Sequence, residues 1–128
     1  MAARLGQKVK LLYLLDIFKR YTDEEHPLNS SELCKMLEER GVTAERKALY
    51  NDIEVLKGYG CDIIKTRTPK SGFFLGARDF ELPEIYLLAD AVRSADFISA
   101  RKTRELLKKL DGMLSVYQAQ RREKNIFF

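Results

Sequence analysis

The stretch from Asn29 to Gly60, NSSELCKMLEERGVTAERKALYNDIEVLKGYG, constrains the fold of this chain more than any other. It reads as two helices joined by a tight turn. Asn29 suits the cap of the first, and Glu32 three residues later can reach back to the cap's own N–H, a reciprocal capping box. Leu33, Met36 and Leu37 form the apolar stripe, Glu38, Glu39 and Arg40 the solvated side, and Gly41 ends the helix where a positive φ costs least. Val42 is expected to drop into the core and Thr43 to offer a hydroxyl cap to a second helix. There Leu49, Ile53 and Leu56 stand at i, i+4 and i+7, the spacing of one buried stripe. At about 100° per residue, Lys47, Asn51 and Glu54 point away from that stripe, with Ala44 and Tyr50 flanking them. A second helix anchored on its inner side and carrying Lys, Tyr and Asn on its outer side has what a recognition helix needs.

Charge supports the same stretch. The chain carries a formal net charge of +4. Between Arg46 and Arg78 the basic residues are Arg46, Lys47, Lys57, Lys65, Arg67, Lys70 and Arg78, against Asp52, Glu54 and Asp62, so the whole excess lies here and the remaining charges cancel. A positive surface of this kind attracts a phosphate backbone, although charge runs are more often solvated faces. At 128 residues, 45% of them hydrophobic, the chain can bury a real core as one or two small domains. Its longest apolar run, LLYLLDIF, is too short to span a bilayer and is interrupted by Asp16. The start, MAARLGQKVK, has no apolar segment with a cleavage site. Cys34 and Cys61 lack metal-like spacing and are expected to be reduced thiols, as in a cytoplasm.

In chain order, a helix is expected from about Lys8 to Tyr21, with Leu11, Leu12, Leu15 and Phe18 as its stripe. Lys8 and Lys10 sit in its first turn against the usual dipole preference, which suits either a phosphate contact or solubility. TDEEHPL, Thr22 to Leu28, is a polar loop holding His26, the only histidine. A catalytic base needs an orienting partner and a nucleophile, and the sequence suggests neither. After the second helix of the pair, Tyr59, Gly60 and Cys61 make a turn. Ile63–Thr66 and Gly72–Leu75 then read as strands joined by Arg67-Thr68-Pro69-Lys70-Ser71. A hairpin in this place is the wing of a winged helix, with Arg67 and Lys70 at a basic tip suited to phosphate or a minor groove. The same hairpin also fits a bland role, closing the core.

The segment E45-R46-K47-A48-L49-Y50-N51-D52-I53-E54-V55-L56 resembles the recognition-helix segment of WYL-domain transcriptional regulators. G72-F73-F74-L75 resembles their wing strand, and F80-E81-L82-P83-E84-I85-Y86-L87-L88-A89-D90-A91-V92-R93-S94 the helix that follows. The resemblance covers nearly the whole chain from Lys8. It implies a winged helix-turn-helix (residues 1–78) that binds double-stranded DNA in a bacterial regulator, with the recognition helix at about 43–59 in the major groove and the wing at 63–75 on the backbone or minor groove. Thr43, Arg46, Lys47, Tyr50 and Asn51 match the start and outer face of that helix. Lys47 would bond guanine, Asn51 would pair with adenine, and Tyr50 and Thr43 would touch phosphate. Arg46 fits a DNA contact or an ion pair with an acid such as Asp52 equally well. The family's ligand-sensing C-terminal domain is expected to be absent: the chain has no tryptophan and no Trp-Tyr-Leu motif. Its end, Asn125-Ile126-Phe127-Phe128, looks like the beginning of a cut strand.

The expected fold class is therefore mainly α with a small β-hairpin, a winged helix-turn-helix followed by a two-helix extension over residues 79–124. Pro83 suits the first turn of a helix ending near Ser94 that is apolar on nearly every side and must be covered all round. The last helix, about Ala100 to Gln120, carries Leu106, Leu107, Leu110, Met113, Leu114 and Tyr117 on one face, with Gly112 a modest interruption. These helices either fold back on the first helix or join two copies into a homodimer that reads two half-sites. No phosphate loop, ligand cluster or paired nucleophile and base points to an enzyme or a cofactor. Two alternatives stay open: a winged helix for protein–protein contact, and a single-stranded nucleic-acid binder that stacks bases on Tyr50, Phe73 or Phe74.

Overall fold

Six helices and one hairpin follow one another along the described part of the chain: α1 (Ala2–Tyr21), α2 (Ser30–Glu39), α3 (Arg46–Tyr59), β1 (Ile63–Thr66), β2 (Gly72–Leu75), α4 (Leu82–Ser94), α5 (Ala100–Asp111) and α6 (Val116–Asn125). This computed structural model describes residues 2–125, with side chains for residues 6–124. The apolar ending Ile126-Phe127-Phe128 lies outside the described residues. The chain divides into two compact units between Ala77 and Arg78. No helix among the described residues is long and apolar enough to cross a membrane.

In the first unit α1 begins at Ala2 rather than near Lys8. Its buried stripe is Leu14, Ile17 and Phe18, with Leu11 and Leu15 half-buried, whereas Leu12 is 66% exposed. The run LLYLL offers two helical phases, and the one that aligns with Phe18 wins. Leu33 and Leu37 of α2, Leu49, Ile53 and Leu56 of α3, and Ile63 and Leu75 of the hairpin complete one core. Each fully buried Leu or Phe contributes about 1.5–3 kcal/mol of transfer free energy.

The capping box forms as expected. Asn29 Oδ1 accepts from the Glu32 N–H at 2.8 Å, and the Asn29 N–H donates to Glu32 Oε1 at 3.0 Å. Gly41 ends the α2 turn at φ +84°, and its N–H donates to the Glu38 carbonyl at 2.9 Å. Between the helices, Val42 and Ala44 are buried while Thr43 and Glu45 are exposed. This two-residue alternation marks an extended connection that docks Ala44 before a helix can start. The expected cap is corrected accordingly: α3 begins at Arg46 behind Glu45, which makes no side-chain cap bond, and Thr43 lies outside the helix. Ala44, expected beside the outer face, belongs to the core.

The hairpin follows the expected register, with Ile63 opposite Leu75 and Lys65 opposite Phe73. Its third line of pairing had no local sequence signal. Leu28 bridges Phe73 through N–H to O distances of 2.9 and 2.8 Å, which ties the loop before α2 to β2. Gly72 makes this approach possible, because a Cβ there would lie 2.7 Å from the Leu28 carbonyl carbon and oxygen. Thr22 adds a buried tie. Its hydroxyl donates to the Phe18 carbonyl at 2.6 Å and accepts from the Leu75 N–H at 3.0 Å.

The second unit contains three helices, not two. Gly112 and the turn after it break the expected last helix, and Ser115 starts α6 with its own reciprocal cap: its Oγ accepts from the Gln118 N–H and its N–H donates to Gln118 Oε1, both at 3.1 Å. Arg122 of α6 grips Asp111 at the end of α5 with two hydrogen bonds, the one from Nη2 at 2.9 Å. The bond to Asp111 is the main reason the guanidinium is held still more firmly in its charged form. α4 carries the expected proline near its start and a capping box between Glu81 and Glu84. It is not covered all round: Ile85 and Ala89 are buried, Leu88 is half-buried and Leu87 is 71% exposed.

Candidate nucleic-acid interface

The outer face of α3 is set by what its inner face buries. Leu49, Ile53 and Leu56 point into the core, so Lys47, Tyr50, Asn51 and Glu54 point to solvent. Glu45, Lys47, Ala48, Tyr50, Asn51 and Glu54 line one shallow depression on that side. Among the described residues Lys47 and Asn51 make no ion pair or side-chain hydrogen bond, which leaves an ammonium and a carboxamide available to a ligand. Lys47 offers three donors, and Asn51 a donor and an acceptor suited to the N6/N7 edge that adenine presents in the major groove.

Two polar contacts tie α3 to its neighbours beside that buried stripe, and neither is legible in the sequence. The Arg46 guanidinium donates to Ser31 Oγ on α2 at 3.4 Å. An Arg46–Asp52 pair does not form, because six helical residues turn through about 600° and leave the two side chains on different faces. Asp52 instead takes Lys10 of α1 at 2.9 Å, with Lys10 only 3% exposed. The contact has ion-pair distance without hydrogen-bond alignment, so it is electrostatic rather than directed. Lys10 is therefore neither a phosphate contact nor a solubilising surface residue.

The hairpin stands beside α3. Tyr50 of α3 meets Phe73 of β2 with ring centroids 6.1 Å apart and planes tilted by 58°. Tyr50, Ile53, Glu54, Lys57, Ile63, Lys65 and Phe73 line a cleft of about 420 Å³ between helix and hairpin. Lys65 was missed as a candidate. Its i, i+2 spacing from the buried Ile63 was the available signal, since that alternation puts both on the face toward α3. Phe74 is buried, so of the two phenylalanines only Phe73 is even partly open.

At the hairpin tip, Thr66 Oγ1 donates to the Thr68 carbonyl at 2.9 Å and accepts from the Thr68 N–H at 3.2 Å, closing a turn around the exposed Arg67. Lys70 is differently placed from Arg67. Its ammonium lies 2.7 Å from both oxygens of Glu32 at the start of α2, so it clamps the hairpin to that helix. Partial burial would raise the Glu32 carboxyl, but the Asn29 N–H and the Lys70 charge outweigh it, and the group sits below the ordinary glutamate value.

Other titratable groups are accounted for locally. His26 Nδ1 is 2.8 Å from Asp23 Oδ1, a partner the sequence had not suggested, and the same oxygen accepts from the Glu25 N–H at 3.0 Å. This is a turn closed by Asp23. Burial, then the charge of Glu38, pushes the Cys34 thiol up, away from a reactive thiolate. Cys34 and Cys61 are both free and half-buried.

Compared with models of protein families, with curated proteins and with solved structures, the chain matches none of them.

Proposed function

We propose that this chain binds duplex DNA as the N-terminal part of a bacterial transcriptional regulator of the WYL type, with α1–α3 and the hairpin acting as a winged helix-turn-helix in the cytoplasm. The observation that carries the reading is the outer face of α3: Lys47 and Asn51 are exposed, and unpaired among the described residues, on a helix whose opposite stripe is buried. Such a helix enters a major groove with its donors toward base edges, Lys47 toward guanine and Asn51 toward adenine. Tyr50 and Arg46 serve phosphates at its margins, as does Thr43 just ahead of it. Lys65 and Arg67 carry the positive surface onto the hairpin, where Arg67 at the tip meets backbone or minor groove. Lys70 supports the hairpin through Glu32 and reaches DNA only by leaving that partner.

The same proposal includes a homodimer formed through the helical extension. Leu87 and Phe97 of the second unit are exposed apolar side chains that such an interface would cover. A single-stranded binder is less well supported, because the Tyr50 ring already packs against Phe73 and Phe74 is buried.

Competition separates these readings. Labelled random duplex bound to the chain should be displaced by unlabelled duplex at much lower concentration than by a single-stranded oligonucleotide of equal length. Preferential displacement by the single strand would overturn the duplex assignment, and absence of binding to either would return the chain to the protein–protein class.

A further inference from the structure

We infer that the outer face of α5 is a second phosphate-binding surface that takes the backbone of duplex DNA, sequence-independently and apart from the α3 face. The inference rests on the DNA-binding reading above and extends it to the second unit.

Folding sorts the charges of α5. Its apolar residues Leu106, Leu107 and Leu110 are half-buried on one side, while Arg101, Lys102, Arg104, Lys108 and Lys109 occupy the other and are exposed. The sequence of the helix contains two acids against these five cations. The structure removes one of them: Asp111 turns away to Arg122, which is 4% exposed. The acid left on the face, Glu105, serves both Arg101 at 3.5 Å and Lys102 at 3.6 Å. Arg104, Lys108 and Lys109 have no ion pair among the described residues. Arg104 and Lys108 stand four residues apart, a spacing at which like charges repel.

The helix dipole is opposed at the start of α5, although Lys108 and Lys109 complement it in the last turn. The first turn of α5 holds Arg101 and Lys102 and no acid, the reverse of what stabilises a helix start. A polyanion laid on this face relieves both penalties. Arg101, Arg104 and Lys108 span about 10 Å of helix axis at about 1.5 Å per residue, a length over which each duplex strand presents roughly three phosphates.

The chemistry of the face selects among polyanions. A helix lying on an anionic membrane needs its apolar side free to enter the acyl boundary, yet α5 packs against α4 and its leucines are half-buried. A single-stranded nucleic acid asks for exposed aromatic platforms, and α5 has no aromatic residue. Cations without stacking groups or apolar wedges fit a regular sugar-phosphate backbone.

The test uses the full chain, random duplex DNA and a salt series, with R104Q/K108Q/K109Q compared against Lys47→Ala/Asn51→Ala. All three glutamine positions are exposed, and unchanged circular dichroism confirms the fold. The glutamine variant should lower the slope of log affinity against log salt by roughly 2 to 3, about 0.9 for each phosphate that is no longer neutralised, and weaken binding at least tenfold at low salt. K108R/K109R should keep the wild-type slope. If the glutamine variant binds with the wild-type slope while the α3 variant is weakened, the inference fails and the DNA-binding reading stands. If the glutamine variant loses binding and the α3 variant does not, the α5 face stands as the phosphate contact and α3 contributes none to random duplex. No binding of duplex by the wild type, or binding of phosphatidylserine vesicles in its place, overturns the inference together with the reading it rests on.

Discussion

Lys10 Nζ lies 2.9 Å from Asp52 Oδ2, so a cation buried in α1 holds α3 at the position next to Asn51. The outward aim of Lys47 and Asn51 thus depends on a contact made on another side of the same helix. Removing one partner strands the other in a mostly dry site. Asp52→Asn or Lys10→Met should each cost about 2–3 kcal/mol, at the low end for buried pairs because Asp52 retains 18% side-chain exposure. The double variant Lys10→Met/Asp52→Leu should recover most of that loss. Urea denaturation of the four proteins measures the coupling, and strictly additive losses would contradict it.

Thr22 ties the end of α1 to β2 through one hydroxyl. Replacing it with valine keeps the shape and orphans the Leu75 N–H, which should destabilise the first unit by about 1–3 kcal/mol. Hydrogen exchange at the Leu75 amide should accelerate strongly in Thr22→Val. Protection equal to wild type would show that the hydroxyl is dispensable.

Gly72 faces the backbone of Leu28 with no room for a side chain. A methyl at this position must push two main-chain segments apart, so Gly72→Ala should cost about 1–3 kcal/mol and weaken the Leu28–Phe73 pairing. An unchanged melting temperature would mean that the strands separate freely.

The Glu32–Lys70 clamp predicts a pH dependence of definite sign. The folded Glu32 carboxyl lies below its unfolded value, so its contribution is present above the unfolded value and disappears as pH falls through the folded one, in the acid range below about 4.5. Both side chains are more than a third exposed, so solvent screening limits the effect to about 0.5 kcal/mol. Lys70→Met should move the Glu32 carboxyl up toward its ordinary value in an NMR titration. A titration unaffected by that substitution would remove the clamp.

Local signals in the sequence were reliable where one residue governs one bond. The Asn29–Glu32 box, the Gly41 stop, the Leu49–Ile53–Leu56 stripe and the hairpin at 63–66 and 72–75 all follow from spacing within a few residues. What depended on distant partners was not legible. Lys10 reads as a surface lysine until Asp52, forty-two positions away, comes beneath it, and Lys70 reads as a free cation until the fold presents Glu32. Thr43 had the chemistry of a cap, but the burial of Ala44 delayed the helix. The break in the extension is illegible for a related reason: Gly112 alone is a small penalty, and only with the Ser115 cap and the Asp111–Arg122 pair does it become a break. The exposure of Lys47 and Asn51 is legible from the periodicity of the buried stripe, whereas the Lys10–Asp52 contact that ties their helix to α1 is not.

Whether Lys47 and Asn51 meet duplex DNA is tested most directly by a salt titration of binding to a duplex selected from a random pool for tight binding by the wild type, comparing the wild type with Lys47→Ala/Asn51→Ala. Wild-type affinity should fall steeply with salt, and the variant should bind more weakly at every salt concentration. Its slope should be smaller by about 1 if Lys47 meets a phosphate and little changed if it meets a base edge. A variant that binds as tightly as the wild type across the series would contradict the assignment of α3 as the reading helix.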